Sequence, residues 1–254
     1  METLAFTPEL LLILFLIAML AGCLDTLAGG GGLITLPALI LAGLPPLFAI
    51  GTNKLQGSMG TAMASLMMLR HRRVAWHEVK LPMLFGFVGA ATGSLLVQFI
   101  DTNFLGFVTP VILACIGIYF LFAGKFLETV RPVKLDLGMY RGVVIPAIGC
   151  YDGMFGPGTG SFFALAGVSL RGNNLLTATA VAKTLNFATN LASLLVFILA
   201  GKIVWIAGLV MMAGQATGAW FGSHILFRIN LQYLRILIVL VCLGMLTRYF
   251  LVTV

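Results

Sequence analysis

The sequence predicts an all-α polytopic membrane protein made of two homologous halves in inverted orientation, each a broken, re-entrant helix followed by three transmembrane helices. Three observations predict it. Of the 254 residues, 60% are hydrophobic and 9% charged, whereas a soluble domain carries about 25% charged residues. Apolar runs long enough for a bilayer core, about 20 residues each, recur along the chain. The halves also repeat: at an offset of 127, Gly22-Cys23-Leu24-Asp25 falls on Gly149-Cys150-Tyr151-Asp152, with five identities in the ten positions from 22 to 31.

The first half, 1–123, opens with the apolar run Leu10 to Ala28. A secretory signal needs a basic stretch before its apolar core, but Glu2 and Glu9 precede this one and no Lys or Arg occurs before Lys54, so the run is read as mature structure. Gly29-Gly30-Gly31-Gly32 follows. A glycine costs about 1 kcal/mol and a proline about 3 in a helix interior, so the helix breaks here. Irregular backbone survives in a bilayer only where protein or a wet cavity covers it, so Leu33 to Leu41 is expected to turn back. The runs 55–69, 81–100 and 104–123 supply three full spans. The linker 124–141 is the most polar stretch, with Lys125, Glu128, Arg131, Lys134 and Asp136. The second half, 142–254, repeats the plan: the run 143–170 is interrupted by Gly156-Pro157-Gly158-Thr159-Gly160, Phe162 to Ser169 returns, and 175–200, 203–226 and 234–254 span. After a two-residue insertion the offset is 129, which places Lys54 on Lys183, Trp76 on Trp205, and Gly89 and Gly93 on Gly218 and Gly222.

An odd number of crossings per half reverses the second copy. With the amino terminus outside and both breaks re-entrant, Lys and Arg in the loops divide 11 inside to 2 outside, against 10 to 3 for eight ordinary spans in parallel halves. Positive charge favours the inside, and inverted repeats with broken helices are a recurring transporter plan. The net charge of +7 lies in short loops where it sets orientation, so no nucleic-acid partner is expected. Cys23, Cys115, Cys150 and Cys242 sit in apolar runs without paired spacing, which argues against a zinc site or disulfide framework.

Asp25, Lys54, Asp152 and Lys183 fall within or at the ends of apolar segments, where an ionisable residue is by default a functional-site hypothesis. One reading pairs Asp25 with Lys54 and Asp152 with Lys183 for structure alone. The other assembles an anion site from both halves. Half-helix amino termini present unpaired N–H groups, and Gly29, Gly30, Gly31, Gly156 and Gly158 let backbone approach a ligand. Lys54 and Lys183 supply charge, and Thr52, Asn53, Gln56, Thr159, Ser161, Asn186 and Asn190 supply hydrogen bonds. Asp25 and Asp152 are candidates for proton coupling: when an anion takes the charge of the lysine, its aspartate loses a partner and binds a proton more readily. The alternative is that both aspartates cap backbone N–H groups. Gly89 and Gly93, with Gly218 and Gly222, read as helix packing, and Trp76 and Trp205 as interface anchors. Arg70-His71-Arg72-Arg73 reads as an orientation signal, with anion or lipid-headgroup contact as the alternative.

The motifs Asp25-Thr-Leu-Ala-Gly-Gly-Gly-Gly, Thr52-Asn53-Lys54, Tyr151-Asp152-Gly-Met-Phe-Gly-Pro-Gly-Thr-Gly-Ser161 and Ala182-Lys183-Thr184-Leu185-Asn186 together resemble the TauE/SafE sulfite exporter family. The resemblance implies a multi-pass permease of the cell inner membrane for sulfur-containing anions such as sulfite, thiosulfate, sulfoacetate or other organosulfonates, without cofactor. The expected partners are the small anion and the lipid bilayer, with room for a homo-oligomer. A passive anion channel would use the same lysines and glycines. A membrane-embedded enzyme needs a nucleophile with its base, paired catalytic aspartates or an HExxH helix, and none of these occurs.

Overall fold

The structure, a computed structural model, describes residues 6–28, 30–127 and 132–225. Gly29, Glu128, Arg131 and the last apolar run, 234–254, with Cys242 and the basic residues Arg228, Arg235 and Arg248, lie outside the described residues. Among those described, regular structure is entirely helical. The first half contributes α1 (Pro8–Ala28), α2 (Gly32–Leu41), α3 (Pro46–Arg70), α4 (Trp76–Leu96) and α5 (Thr102–Leu127). The second contributes α6 (Leu137–Met139), which runs through a π turn at Tyr140–Val144 into α7 (Ile145–Met154), then α8 (Thr159–Arg171), α9 (Leu175–Leu199) and α10 (Trp205–Ile225).

Local chemistry sets the ends of these helices. Pro46 occupies the first turn of α3, where its missing N–H costs nothing. Asp136 accepts from Met139 N at 3.0 Å and Asn174 from Thr177 N at 2.8 Å, each satisfying a first-turn donor. The breaks fall at the glycine clusters: α1 ends at Ala28 and α7 at Met154. Gly156 and Gly158 take φ of +97° and +81°, which a side chain would resist. Beyond the second break the chain doubles back, because Lys134 N and Leu135 N donate to Leu170 O at 3.0 and 3.2 Å. The end of α8 thus lies beside the start of the unit that α6 and α7 open.

The halves pack reciprocally. α1 lies on α10, and α4 on α7. A Cβ at Gly218 would collide with the carbonyl oxygen of Met19, and one at Gly89 with that of Pro146. Gly218 is Gly89 at the offset of 129 and Pro146 is Met19 at 127. Gly22 against Gln215 and Gly149 against Gly86 form a second such pair of contacts, and Gly60 against Gln215 and Gly86 against Thr189 a third. Gly51 meets Phe197 and Gly57 meets Asn190, so α3 and α9 run antiparallel, while Thr52 and Leu55 meet Gly208 and Gly60 meets Gln215, so α3 and α10 run parallel.

Large apolar side chains cover the exterior, and polar ones are buried beside an apolar core. Lys54, Gln56, Thr52 and Ser193 are buried, while Leu12, Leu16 and Leu20, spaced one turn apart on α1, are exposed, as are Leu84, Val88 and Leu95 on α4. Three described segments, Pro8–Thr26, Trp76–Phe99 and Leu175–Leu199, are long and apolar enough to cross a membrane.

The packing role of the glycines carries a prediction with a definite sign. Ala in place of Gly in a helix is intrinsically stabilising by about 1 kcal/mol, so Gly106→Ala, whose Cβ would meet nothing within 4 Å, should leave the melting temperature in detergent unchanged or raised. Gly93→Ala drives a Cβ into the carbonyl oxygen of Cys150 and should lower it, with a cost of about 1–3 kcal/mol.

Candidate functional site

The two breaks meet. A Cβ added to Gly32 would stand 3.4 Å from Pro157 Cα, and one added to Gly156 would stand 3.1 Å from Lys54 Nζ. The ionisable residues pair across the halves, not within them as one sequence reading had it. Lys54 Nζ lies 2.9 Å from Asp152 Oδ1, and Lys183 Nζ lies 3.9 Å from Asp25 Oδ2. The in-half pairs Asp25–Lys54 and Asp152–Lys183 are therefore corrected. The cause is the antiparallel passage of α3 and α9 through the centre, which brings each lysine to the broken helix of the opposite half.

The two pairs differ in tightness. Asp152 Oδ1 also accepts from the Thr159 hydroxyl at 2.7 Å. Asp25 Oδ1 accepts from Gly31 N at 3.3 Å, and Lys183 donates to the backbone oxygen of Asp25. That oxygen is in the last turn of α1, where carbonyls lack intrahelical donors and a cation is favourable.

Around the meeting point lies a polar cavity. From the first half Asp25, Gly32, Asn53, Lys54 and Gln56 line it, and from the second Gly156, Gly158, Thr159, Asn186 and Asn190. Its free space is about 30 Å³, room for two or three waters at about 10–15 Å³ each. Asn53 Oδ1 accepts from the Thr35 hydroxyl at 2.6 Å and from Gln56 Nε2 at 2.8 Å, which leaves its Nδ2 as a donor. Asn190 Nδ2 donates to Asn186 O at 2.8 Å. The two buried lysines balance the two buried aspartates, so the site is neutral as a whole while Lys54 projects a cation into it.

Several residues expected at the site stand elsewhere. Lys183 and Asp152 are not lining groups; each reaches the wall through its partner. The Thr52 hydroxyl accepts from Val204 N at 3.0 Å and so closes the start of α10. Ser161 is in the first turn of α8, its N–H on Gly158 O, and neither it nor Gly30 and Gly31 line the cavity. Gly29 lies outside the described residues. Five lining residues were missed: Gly32, Gly57, Thr61, Gly160 and Gln215. Gly57 and Thr61 follow Lys54 by three and seven residues, which places them on its face of α3, and Gln215 is an amide in the middle of an apolar run. Among the described residues no group of His, Cys, Asp or Glu suits a metal ion.

A family model described as Sulfite exporter TauE/SafE matches residues 14–249. The chain is 43% identical over 235 residues to the Probable membrane transporter protein YfcA of Escherichia coli strain K12, covering 92% of this chain and 87% of that one. It is 44% identical to a Probable membrane transporter protein of Haemophilus influenzae, covering 91% of each. It is 40% identical to the Probable membrane transporter protein ORF9 of a Sinorhizobium species, covering 98% of this chain and 94% of that one.

Proposed function

The chain belongs to the TauE/SafE sulfite exporter family and is a membrane transporter, and from that premise we propose that it carries a small sulfur-containing oxyanion, with sulfite, thiosulfate and sulfoacetate as the candidates, across the cell inner membrane by a secondary, proton-coupled mechanism. The observation that carries this reading is Lys54, 1% exposed, in the wall of a polar cavity where the broken helices of both halves meet. A buried charge needs a partner; Asp152 supplies it here, and Lys54 together with the Asn53 amide offers an arriving oxyanion both charge and donors. Reconstituted into liposomes, the protein should take up at least one of sulfite, thiosulfate and sulfoacetate in preference to sulfate and chloride. Uptake of chloride alone, at channel rates, would sink the proposal.

The transporter is built of inverted repeats with two re-entrant hairpins. The antiparallel course of α3 and α9, which are equivalent helices, supports an axis in the membrane plane, and the return of α8 to residues 134–135 supports the hairpin. Arg73 and Lys202 are equivalent positions at the offset of 129, in the loops before α4 and α10. In a background without native cysteines, Arg73→Cys and Lys202→Cys should react with an impermeant maleimide from opposite sides. Labelling from the same side would require parallel repeats.

Asp25 is the proton carrier, and Asp152 is structural. Asp25 lines the cavity and its ion pair is loose, whereas Asp152 is clamped between Lys54 and Thr159.

A further inference from the structure

Buried acceptors at the cavity and beside it stand unsatisfied among the described residues. Gln56 Oε1, Gln215 Oε1 and Asp152 Oδ2 have no hydrogen-bond donor among the described residues, and their residues are 1%, 2% and 1% exposed. Gln56 and Gln215 are in the cavity wall. The Gln56 amide is oriented by its own contacts, since Nε2 donates to Thr35 Oγ1 at 3.0 Å and to Asn53 Oδ1 at 2.8 Å, which leaves Oε1 as the unused atom. A buried acceptor without a donor costs about 1–3 kcal/mol. A fully deprotonated oxyanion brings only further acceptors, so its oxygens meet these amide oxygens unfavourably. An anion with an O–H satisfies one of them while its other oxygens face Lys54 and Asn53.

Charge points the same way. The ionisable side chains at the site are Asp25 on α1, Lys54 on α3, Asp152 on α7 and Lys183 on α9, and they sum to zero. A bound dianion leaves two uncompensated negative charges in an apolar protein, and a monoanion leaves one, which a single proton neutralises. The penalty for uncompensated buried charge is steep.

We infer that the cavity selects a monoanion carrying its own hydrogen-bond donor, with the side-chain oxygens of Gln56 and Gln215 as specificity-determining acceptors, so that hydrogensulfite is taken in place of the sulfite dianion. This rests on the cavity being the anion site, and the test separates the two claims. Uptake of labelled hydrogensulfite into proteoliposomes is measured at mildly acid pH, with methanesulfonate, a monoanion of similar shape without an O–H, and sulfate, a dianion, as competitors. Both should compete at least about 10-fold more weakly than unlabelled hydrogensulfite, a gap of about 1.4 kcal/mol. Gln215→Met, close in volume, should narrow the gap for methanesulfonate several-fold while leaving the gap for sulfate. Gln56→Met serves in the same way should Gln215→Met fail to fold. Equal competition by methanesulfonate in the wild type, or full discrimination retained in the folded methionine variant, overturns the inference and leaves the anion site standing. Absence of hydrogensulfite uptake in a preparation that takes up thiosulfate or sulfoacetate overturns the inference alone, and absence of uptake of all three overturns both.

Discussion

Lys54→Ala is expected to lower anion flux by at least about 100-fold, and the double variant Lys54→Ala/Asp152→Asn to lose the same flux while regaining most of the thermal stability. Removing one member of a buried ion pair typically costs about 3–5 kcal/mol because the other is left as an unpaired charge, and Lys54 and Asp152 are each 1% exposed. The single variant is therefore destabilised whatever Lys54 does. The double variant removes both charges, and the asparagine keeps an acceptor for the Thr159 hydroxyl. A purely structural pair predicts that flux returns with stability. An anion-binding Lys54 predicts a protein that melts near the wild-type temperature and does not transport. Flux by vesicle uptake and melting in detergent, measured on the same preparations, decide between them. Lys183 acts at one remove, through the backbone and carboxylate of Asp25, so Lys183→Met should impair transport chiefly by displacing Asp25.

Asp25→Asn is expected to abolish uptake driven by a pH gradient while sparing exchange of anion down its own gradient. An anion in the cavity adds negative potential beside Asp25 and favours a proton on its carboxylate, and by linkage the proton favours the anion. The two then move in the same direction, so an acidic exterior should drive anion into vesicles without any anion gradient. The asparagine cannot carry the proton. It preserves the carbonyl that accepts from Gly31 N and leaves the backbone oxygen that holds Lys183, so the loss of stability should be smaller than for Lys54→Ala. Gradient-driven uptake by Asp25→Asn equal to that of the wild type would move the proton elsewhere, and absence of such uptake in an active wild type would remove coupling.

What was legible in the sequence was local. Glycine and proline clusters end helices wherever they occur, so the breaks after α1 and α7 could be read from residues 29–32 and 156–160. Charges in apolar runs are costly, which marked Asp25, Lys54, Asp152 and Lys183. The small residues of α4 and α10 were read as packing, and Gly89, Gly93 and Gly218 do meet backbone carbonyls of α7 and α1. The pairing of those charges was not legible, because spacing along the chain suggests partners within a half, whereas the antiparallel crossing of α3 and α9 exchanges them. Thr52 was misplaced for a related reason: it precedes Lys54 by two residues, so it faces away from the cavity towards the start of α10. Gln215 was passed over because one uncharged amide barely alters the hydropathy of its run.

The central claim is that an oxyanion binds where the two broken helices meet, on Lys54. Selenite is the heavier analogue of sulfite, and the anomalous scattering of selenium locates it directly in a crystal grown in its presence. A selenium peak within hydrogen-bond reach of Lys54 Nζ, between Gly32 and Gly156, is the predicted result. Well-occupied selenium elsewhere in the protein, with none at Lys54, would contradict it.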